Sequence, residues 1–328
     1  MDVPTARSLI AHVRSPGTQG AFAGVGGFAK TASSQVTPRQ AGVALGLTYL
    51  YGQVHVAARV LQRNNLTDFF LEYLVRTTYG ETNVQEIGPL FSGSPSTHNH
   101  QNTYQKLHRP LIPGCSVGGK DGGAGTLGAF VDVNGGTYIL SNNHVLSESS
   151  FIGDTHAKVG DLIWQPGGVD GGNPQYAVAT LANWAAFNST SANNIDCAIA
   201  AINPSLVGRI SYGGRALCGF RQAIMGEDVF KVGRTTEFTR GIIDSTEMSD
   251  AWVNYRTGPA EFDDQIMIVG NNGQPFSLPG DSGSLVIAES DYKAVGLIFA
   301  GNQRGGYSIA CPIIPVLKVF GASLLVTG

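Results

Sequence analysis

From residue 113 onward the chain is cut into short apolar runs by turn-forming residues, and this rhythm leaves little choice of fold. Candidate strands cover residues 129–133, 137–140, 177–181, 195–202, 228–232, 241–244, 265–269, 285–288, 294–299 and 307–311. Asn134-Gly135-Gly136 is a hairpin turn between two of them, and the run 165–172 is a glycine-rich loop. Short strands at this spacing form an antiparallel barrel or sandwich. The composition agrees, with 44 Gly among 328 residues and only 14% charged side chains. Residues 312–325 end the chain with the apolar periodicity of a closing helix.

The part before residue 113 reads differently. Residues 1–40 are rich in Gly, Ala, Ser and Thr; 6–13 predict a short helix, and 20–30 read as flexible. Residues 41–92 predict a ββαβ module. Strands at 42–51 and 54–61 flank a turn at Gly52-Gln53, a helix capped by Thr67 or Asp68 carries Phe69 to Val75, and a strand covers 83–90. About 50 residues make a meagre core, so the module is expected to pack on the larger domain after it. Its readings are a structural extension, an inhibitory or chaperoning pro-segment, or a regulatory or docking module for a partner. Residues 93–112, with Ser, Pro, Thr, Asn and three histidines, read as a linker to a domain spanning 113–328.

Several functions are disfavoured at this level. Lys and Arg number 21 against 24 Asp and Glu, a net charge of −3, which does not suit nucleic acid or an anionic membrane. No apolar run reaches the length of a membrane span. His98, His100 and His108 lack the Cys or acidic companions of a metal site, so neither metal nor cofactor is expected. Gly123-Ala124-Gly125-Thr126-Leu127-Gly128 matches a dinucleotide fingerprint in letters only, because a strand follows it where a helix is required. Cys115, Cys197, Cys218 and Cys311 show no C-x-x-C spacing, and no signal peptide is evident. The expectation is a cytoplasmic protein with free thiols.

Gly280-Asp281-Ser282-Gly283-Ser284 has the makings of a reactive turn. Glycines on either side allow a tight backbone that exposes one hydroxyl and aims N–H groups at one point. Ser282 would need a base, and His144 lies just past a strand in Ser141-Asn142-Asn143-His144-Val145-Leu146. A buried carboxylate would orient that base. Asp196 opens an apolar strand, where an unpaired charge is costly. Asp154 and Asp161 lie in polar loops and suit the part less well.

The order His, Asp, Ser in an all-β domain resembles the chymotrypsin-like serine proteases, bacterial members included. Three motifs carry the likeness over residues 113–328. The histidine motif resembles the family's small-Ala-Ala-His, Asp196-Cys197-Ala198-Ile199 is similar to Asp-Ile-Ala-Leu, and the serine motif is similar to Gly-Asp-Ser-Gly-Gly. The resemblance implies two six-stranded barrels with the site at their seam. It implies a triad of His144, Asp196 and Ser282, and an oxyanion hole from the N–H groups of Gly280 and Ser282. It also implies a protein or peptide substrate. Phe276 would stand at the pocket base and Phe299-Ala300-Gly301 along the edge that pairs with substrate, which disfavours Lys or Arg before the cut bond. Lys231 or Arg234, in a stretch similar to that of bacterial members, would serve as the internal cation beside Asp281 and make cleavage unnecessary. The alternatives are a silent protease-fold binding protein and an esterase-type acyl hydrolase.

Overall fold

The computed structural model describes residues 1–15, 36–93, 102–121, 123–302 and 305–326. The N-terminal part holds α1 (Val3–Arg14), α2 (Pro38–Ala41), β1 (Val43–Leu50), β2 (Gln53–Val60), α3 (Thr67–Thr77), β3 (Thr82–Glu86) and β4 (Leu90–Phe91). Tyr51 and Gly52 both take positive φ, so a two-residue turn joins β1 to β2. β3 runs parallel to β2, with α3 as the crossover. Ala6, Ile10 and Val13 of α1 and Phe70 and Leu74 of α3 bury against Val43, Leu45, Val56 and Val60. The predicted strand at 83–90 is two pieces, β3 and β4, broken near Gly88 at φ +74°. Residues 20–30 lie outside the described residues.

The next stretch holds β5 (Ser116–Val117), β6 (Gly125–Thr126), β7 (Ala129–Val133), β8 (Gly136–Ser141), α4 (Asn143–Leu146), β9 (Leu162–Trp164), β10 (Ala177–Trp184) and β11 (Ala198–Ile202). The last holds β12 (Asp228–Gly233), β13 (Glu237–Ser249), β14 (Ala251–Tyr255), β15 (Gly258–Phe262), β16 (Gln265–Gly270), β17 (Leu285–Ala288), β18 (Ala294–Asn302), β19 (Ser308–Pro312), α5 (Ile313–Phe320) and β20 (Ser323–Leu324). β12, β13, β16, β19, β18 and β17 pair in a closed antiparallel ring, a six-stranded barrel. A second six-stranded sheet runs β20-β7-β8-β11-β10-β9. Its short outer strands, β9 and β20, do not pair with each other. The sequence signals for a C-terminal helix hold for α5, after which β20 returns to β7. The hairpin β14–β15 was not anticipated. The fold is mainly β, with one closed barrel, further strands outside it and few helices. No helix of the described residues is long and apolar enough to cross a membrane.

The N-terminal module is continuous with the barrel. β1 pairs antiparallel with β13, and β4 lies between β14 and β18. Residues 102–112, expected as linker, are packed: Gln105 is buried, Asn102 Nδ2 donates to the carbonyl oxygens of Arg234 and Thr235, and Arg109 donates to Gln165.

A buried charge marks the module junction. The Arg59 side chain is fully buried and donates to Asp244 Oδ2 at 2.8 Å, Ser245 Oγ at 3.0 Å and Asn83. Removing one partner of such a pair strands the other charge in the interior. Asp244→Ala is expected to lower stability by about 3 kcal/mol in urea unfolding.

Candidate active site

β8 and β11 pair with Ala198 opposite Ser141. That register brings Asp196, two residues before Ala198, beside the turn that follows Ser141. α4 begins there and presents His144. Asn142 Nδ2 donates to the Asp196 carbonyl at 2.6 Å, and Asn143 Nδ2 donates to the carbonyls of Ser150 and Ala185. The two asparagines, where the resemblance has small residues, therefore bind the histidine turn to its surroundings.

Asp196 is fully buried and its carboxylate is satisfied three times. His144 Nδ1 lies 2.6 Å from Oδ2, the His144 backbone N–H donates to Oδ1 at 3.3 Å, and Tyr255 Oη donates to Oδ2 at 3.0 Å. The Tyr255 ring stands edge-on to His144, 5.7 Å between centroids. Burial, with the Asp196 charge second, raises the Tyr255 phenol well above its ordinary range, so it remains a donor. The Asp196 N–H donates to Cys311 Sγ at 3.2 Å. Burial, and then Asp196, hold the Cys197 and Cys311 thiols well above their usual range, where they are unreactive. All four cysteines are free.

Ser282 is buried apart from a 6% exposed remainder. Its loop is pinned to β6 through Thr126, whose N–H donates to the Ser282 carbonyl at 2.8 Å and whose hydroxyl donates to the Gly280 carbonyl at 2.9 Å. Gly125 is wedged between the histidine turn and this loop. A Cβ there would stand 2.5 Å from Val145 and 3.0 Å from the Ser282 carbonyl oxygen. The histidine turn and the serine loop thus meet at Gly125, but Ser282 and His144 are not joined. They share no hydrogen bond: His144 Nε2 is buried and has no partner among the described residues.

Gly280 and Gly283 take φ of +98° and +94°. Thr235 Oγ1 donates to the Pro279 carbonyl at 2.8 Å, which fixes that peptide plane and turns the Gly280 N–H the opposite way. The N–H groups of Gly280 and Ser282 donate to no described residue, whereas Asp281, Gly283 and Ser284 all donate within the loop or to β18. Among the described residues, the serine's own N–H and that of Gly280 thus remain without an acceptor.

Asp281 is wholly buried. It accepts from the N–H groups of Thr235, Thr236 and Leu278 and from Thr236 Oγ1, with Lys231 Nζ at 3.5 Å. Burial pushes the Lys231 ammonium down, and the Asp281 charge opposes it. Of the two cations weighed from the sequence, Lys231 therefore meets Asp281. Arg234 turns away to Asp170, Nε to Oδ2 at 2.8 Å, and Ser116 also donates to Asp170.

The expected substrate contacts fare differently. Phe276 is fully buried in the barrel core with Val229, Ile243 and Ile268, so its side chain offers no surface to a ligand and the pocket-base expectation is corrected. Phe299 is likewise buried, its ring tilted against Phe262 at 4.8 Å between centroids, and Ala300 is 5% exposed. Gly301 lies on the β18 edge, opposite Phe91. Asp154 Oδ1 accepts the His156 N–H and Asp161 pairs with Lys120, away from His144. His108 Nε2 contacts the Thr103 carbonyl, no metal-binding group occurs among the described residues, and His98 and His100 lie outside them. Tyr255, Thr126 and Thr235 were not singled out from the sequence. The alternation of Val253 and Tyr255 with Trp252 and Asn254, before a Gly-containing turn, is the signal that could have revealed β14.

The described residues thus form a closed six-stranded antiparallel barrel and a second six-stranded sheet, with the histidine turn and the serine loop meeting at Gly125. Residues 207–310 match the family model of the Nal1 C-terminal domain. Protein NARROW LEAF 1 of Oryza sativa subsp. japonica is 35% identical over 88 residues, which is 26% of this chain and 14% of that protein. Among solved structures, Thermobifida fusca Protease A is similar at 18% identity and a TM-score of 0.46, covering 66% of this chain and 99% of that one. Cellulomonas bogoriensis chymotrypsin is similar at 22% identity and a TM-score of 0.44, covering 66% and 99%.

One carboxyl near the histidine turn titrates far from its ordinary range. Burial, with the Asp121 charge second, pushes Glu148 up to about 7. It then binds more protons folded than unfolded between pH 4.5 and 7, so stability falls as pH rises through that window. Glu148→Gln is expected to remove on the order of 3 kcal/mol of this fall. Urea unfolding of both proteins at pH 4.5 and pH 8 measures it.

Proposed function

We propose that this chain is a serine hydrolase acting on peptide bonds. The observation that carries the reading is the buried Asp196–His144 pair at 2.6 Å, facing across the seam a serine flanked by two unengaged N–H groups. Asp196 holds the imidazole with Nδ1 protonated, leaving Nε2 to accept the Ser282 proton. Ser282 Oγ attacks the carbonyl carbon, and the negative oxygen that forms is met by the N–H groups of Gly280 and Ser282. His144 then protonates the leaving amine. Water repeats the sequence on the acyl-enzyme, and the serine is regenerated. One lost oxyanion donor costs about 3 kcal/mol of transition-state stabilisation.

The Lys231–Asp281 contact supports activity of the uncleaved chain, because the carboxylate before the serine already has an internal cation. The missing bond from Ser282 to His144 Nε2 favours a second reading, a protease-fold binding protein that does not turn over. In unliganded sites such bonds are often loose and close on substrate. A fluorophosphonate probe separates the two. Labelling of the full chain, absent in Ser282→Ala, is expected; a folded chain that stays unlabelled supports the binding protein.

Tyr255 is a positioning residue in this reading. Its hydroxyl spreads the Asp196 charge, so Tyr255→Phe concentrates that charge on His144. Hydrogen bonds to charged groups contribute about 1.5–3 kcal/mol, and kcat/KM is expected to fall about tenfold. The acid limb of the pH–rate profile should move upward, because the imidazolium is then better stabilised. An unmoved limb would assign Tyr255 to packing alone.

A further inference from the structure

β18 carries two strands on one side and a gap between them. Over Ala294–Leu297 its partner is β17, and Ile298 exchanges bonds with Gly283 and Ser284 of the serine loop, both at 2.8–2.9 Å. Beyond that, on the same side, β4 pairs antiparallel with Gly301 opposite Phe91 and Asn302 opposite Leu90. Two more residues in that register bring Gly93 opposite Phe299. An independent contact agrees: a Cβ on Gly93 would meet the Pro279 ring at 2.8 and 2.9 Å, so the backbone of Gly93 lies flat on the residue that precedes Gly280. The chain's own segment Leu90-Phe91-Ser92-Gly93 thus runs as an added strand along the β18 edge and points its end at the serine loop. It is clamped from the other side by β14, where the Ser92 N–H donates to the Asn254 carbonyl at 3.2 Å and Asn254 Nδ2 donates to the Leu90 carbonyl at 3.0 Å. Asn302 Nδ2 holds the Ile87 carbonyl at 3.1 Å.

An extended peptide that adds to a free sheet edge is a general mode of recognition, in which the main chain supplies affinity and side-chain fit supplies choice. We propose that Leu90–Gly93 occupies the peptide-binding edge of the candidate active site as an internal competitor of substrate. The inference rests on the hydrolase reading for the identity of the site. It also names the substrate class: an extended segment with a glycine or other small residue at the serine loop and a large apolar residue two positions before it. The Pro279 contact sets the first preference and Phe91 against Gly301 the second. Polypeptide substrates reach the serine only by displacing this strand, whereas a small electrophile does not need the edge.

The test uses the full chain carrying Ser282→Ala and a fluorescein-labelled peptide copying residues 86–93. Gly93→Val drives a side chain into Pro279, and Phe91→Asp places a charge in the half-buried edge contact. Thermal unfolding confirms that each variant is folded. An internal strand acts at an effective concentration on the order of 1 mM, so either substitution is expected to tighten peptide binding about tenfold in anisotropy titrations. In the chain with Ser282 intact, the same substitutions should lower KM for an octapeptide ester by a similar factor, and Phe91→Asp should leave fluorophosphonate labelling unchanged. Unaltered peptide binding in both folded variants overturns the proposal even where the probe labels Ser282. Tighter binding in the variants, with no probe labelling of the Ser282 chain, keeps the occupied edge and overturns the hydrolase reading.

Discussion

The Asp281 carboxylate is wholly buried one residue before the serine, and its charge must be satisfied for the loop to hold its shape. Three backbone N–H groups, one hydroxyl and the Lys231 ammonium do this. The donors come from β12, from the turn after it and from the serine loop. The same turn supplies Thr235, whose hydroxyl fixes the Pro279 carbonyl and with it the direction of the Gly280 N–H. One buried charge therefore draws together the parts that aim two N–H groups beside Ser282. Because Lys231 belongs to the folded barrel, nothing has to be cut for the charge to find its partner.

The second requirement is to hold two sheets in register across the seam. Thr126 of β6 does so from one side, its carbonyl accepting from Ser141 Oγ of β8 while its N–H meets the Ser282 carbonyl and its hydroxyl the Gly280 carbonyl. The buried pair of Arg234 and Asp170, joined by Ser116, ties the glycine-rich loop to the end of β12. Tyr255 reaches from β14 to Asp196 in the opposite direction. Hydrogen bonds in a low-dielectric seam are directional and strong, and each of these has a definite partner. The geometry of the site is thus a property of the seam rather than of either sheet alone.

Much of this was legible in the sequence because it depends on local chemistry. Short strands between Gly and Asn turns announced the mainly β fold, and β7, β8, β17 and β19 fall within a residue or two of expectation. His144, Asp196 and Ser282 stood out because each places a chemically expensive group beside an apolar run. What escaped depends on pairing between distant segments. Tyr255 was missed because β14–β15 carries few turn signals and its target lies 59 residues away. Phe276 was misplaced because counting back from the serine cannot tell a pocket wall from the barrel interior. The packed state of residues 102–112 was hidden for a similar reason, since their polar side chains bond to Arg234 and Gln165 rather than to water.

The shared sheet also limits how the N-terminal module can act. β1 and β2 extend the barrel through β13, and their removal would expose a long strand edge together with the packing of Val43, Leu45, Val56 and Val60. At about 1.5–3 kcal/mol for each buried side chain, those four alone cost about 6–12 kcal/mol, comparable to the whole stability of a typical domain. Releasing β4 is a far smaller event. It uncovers Leu90 and part of Phe91, a few kcal/mol, and breaks the short ladders to β14 and β18. Gly88 at φ +74° and Gly93 bracket that segment, so the backbone on both sides has the freedom to let it go. In the proposed reading, a module fused this firmly to the barrel governs access to the serine through its last short strand, while the rest of it stays in place.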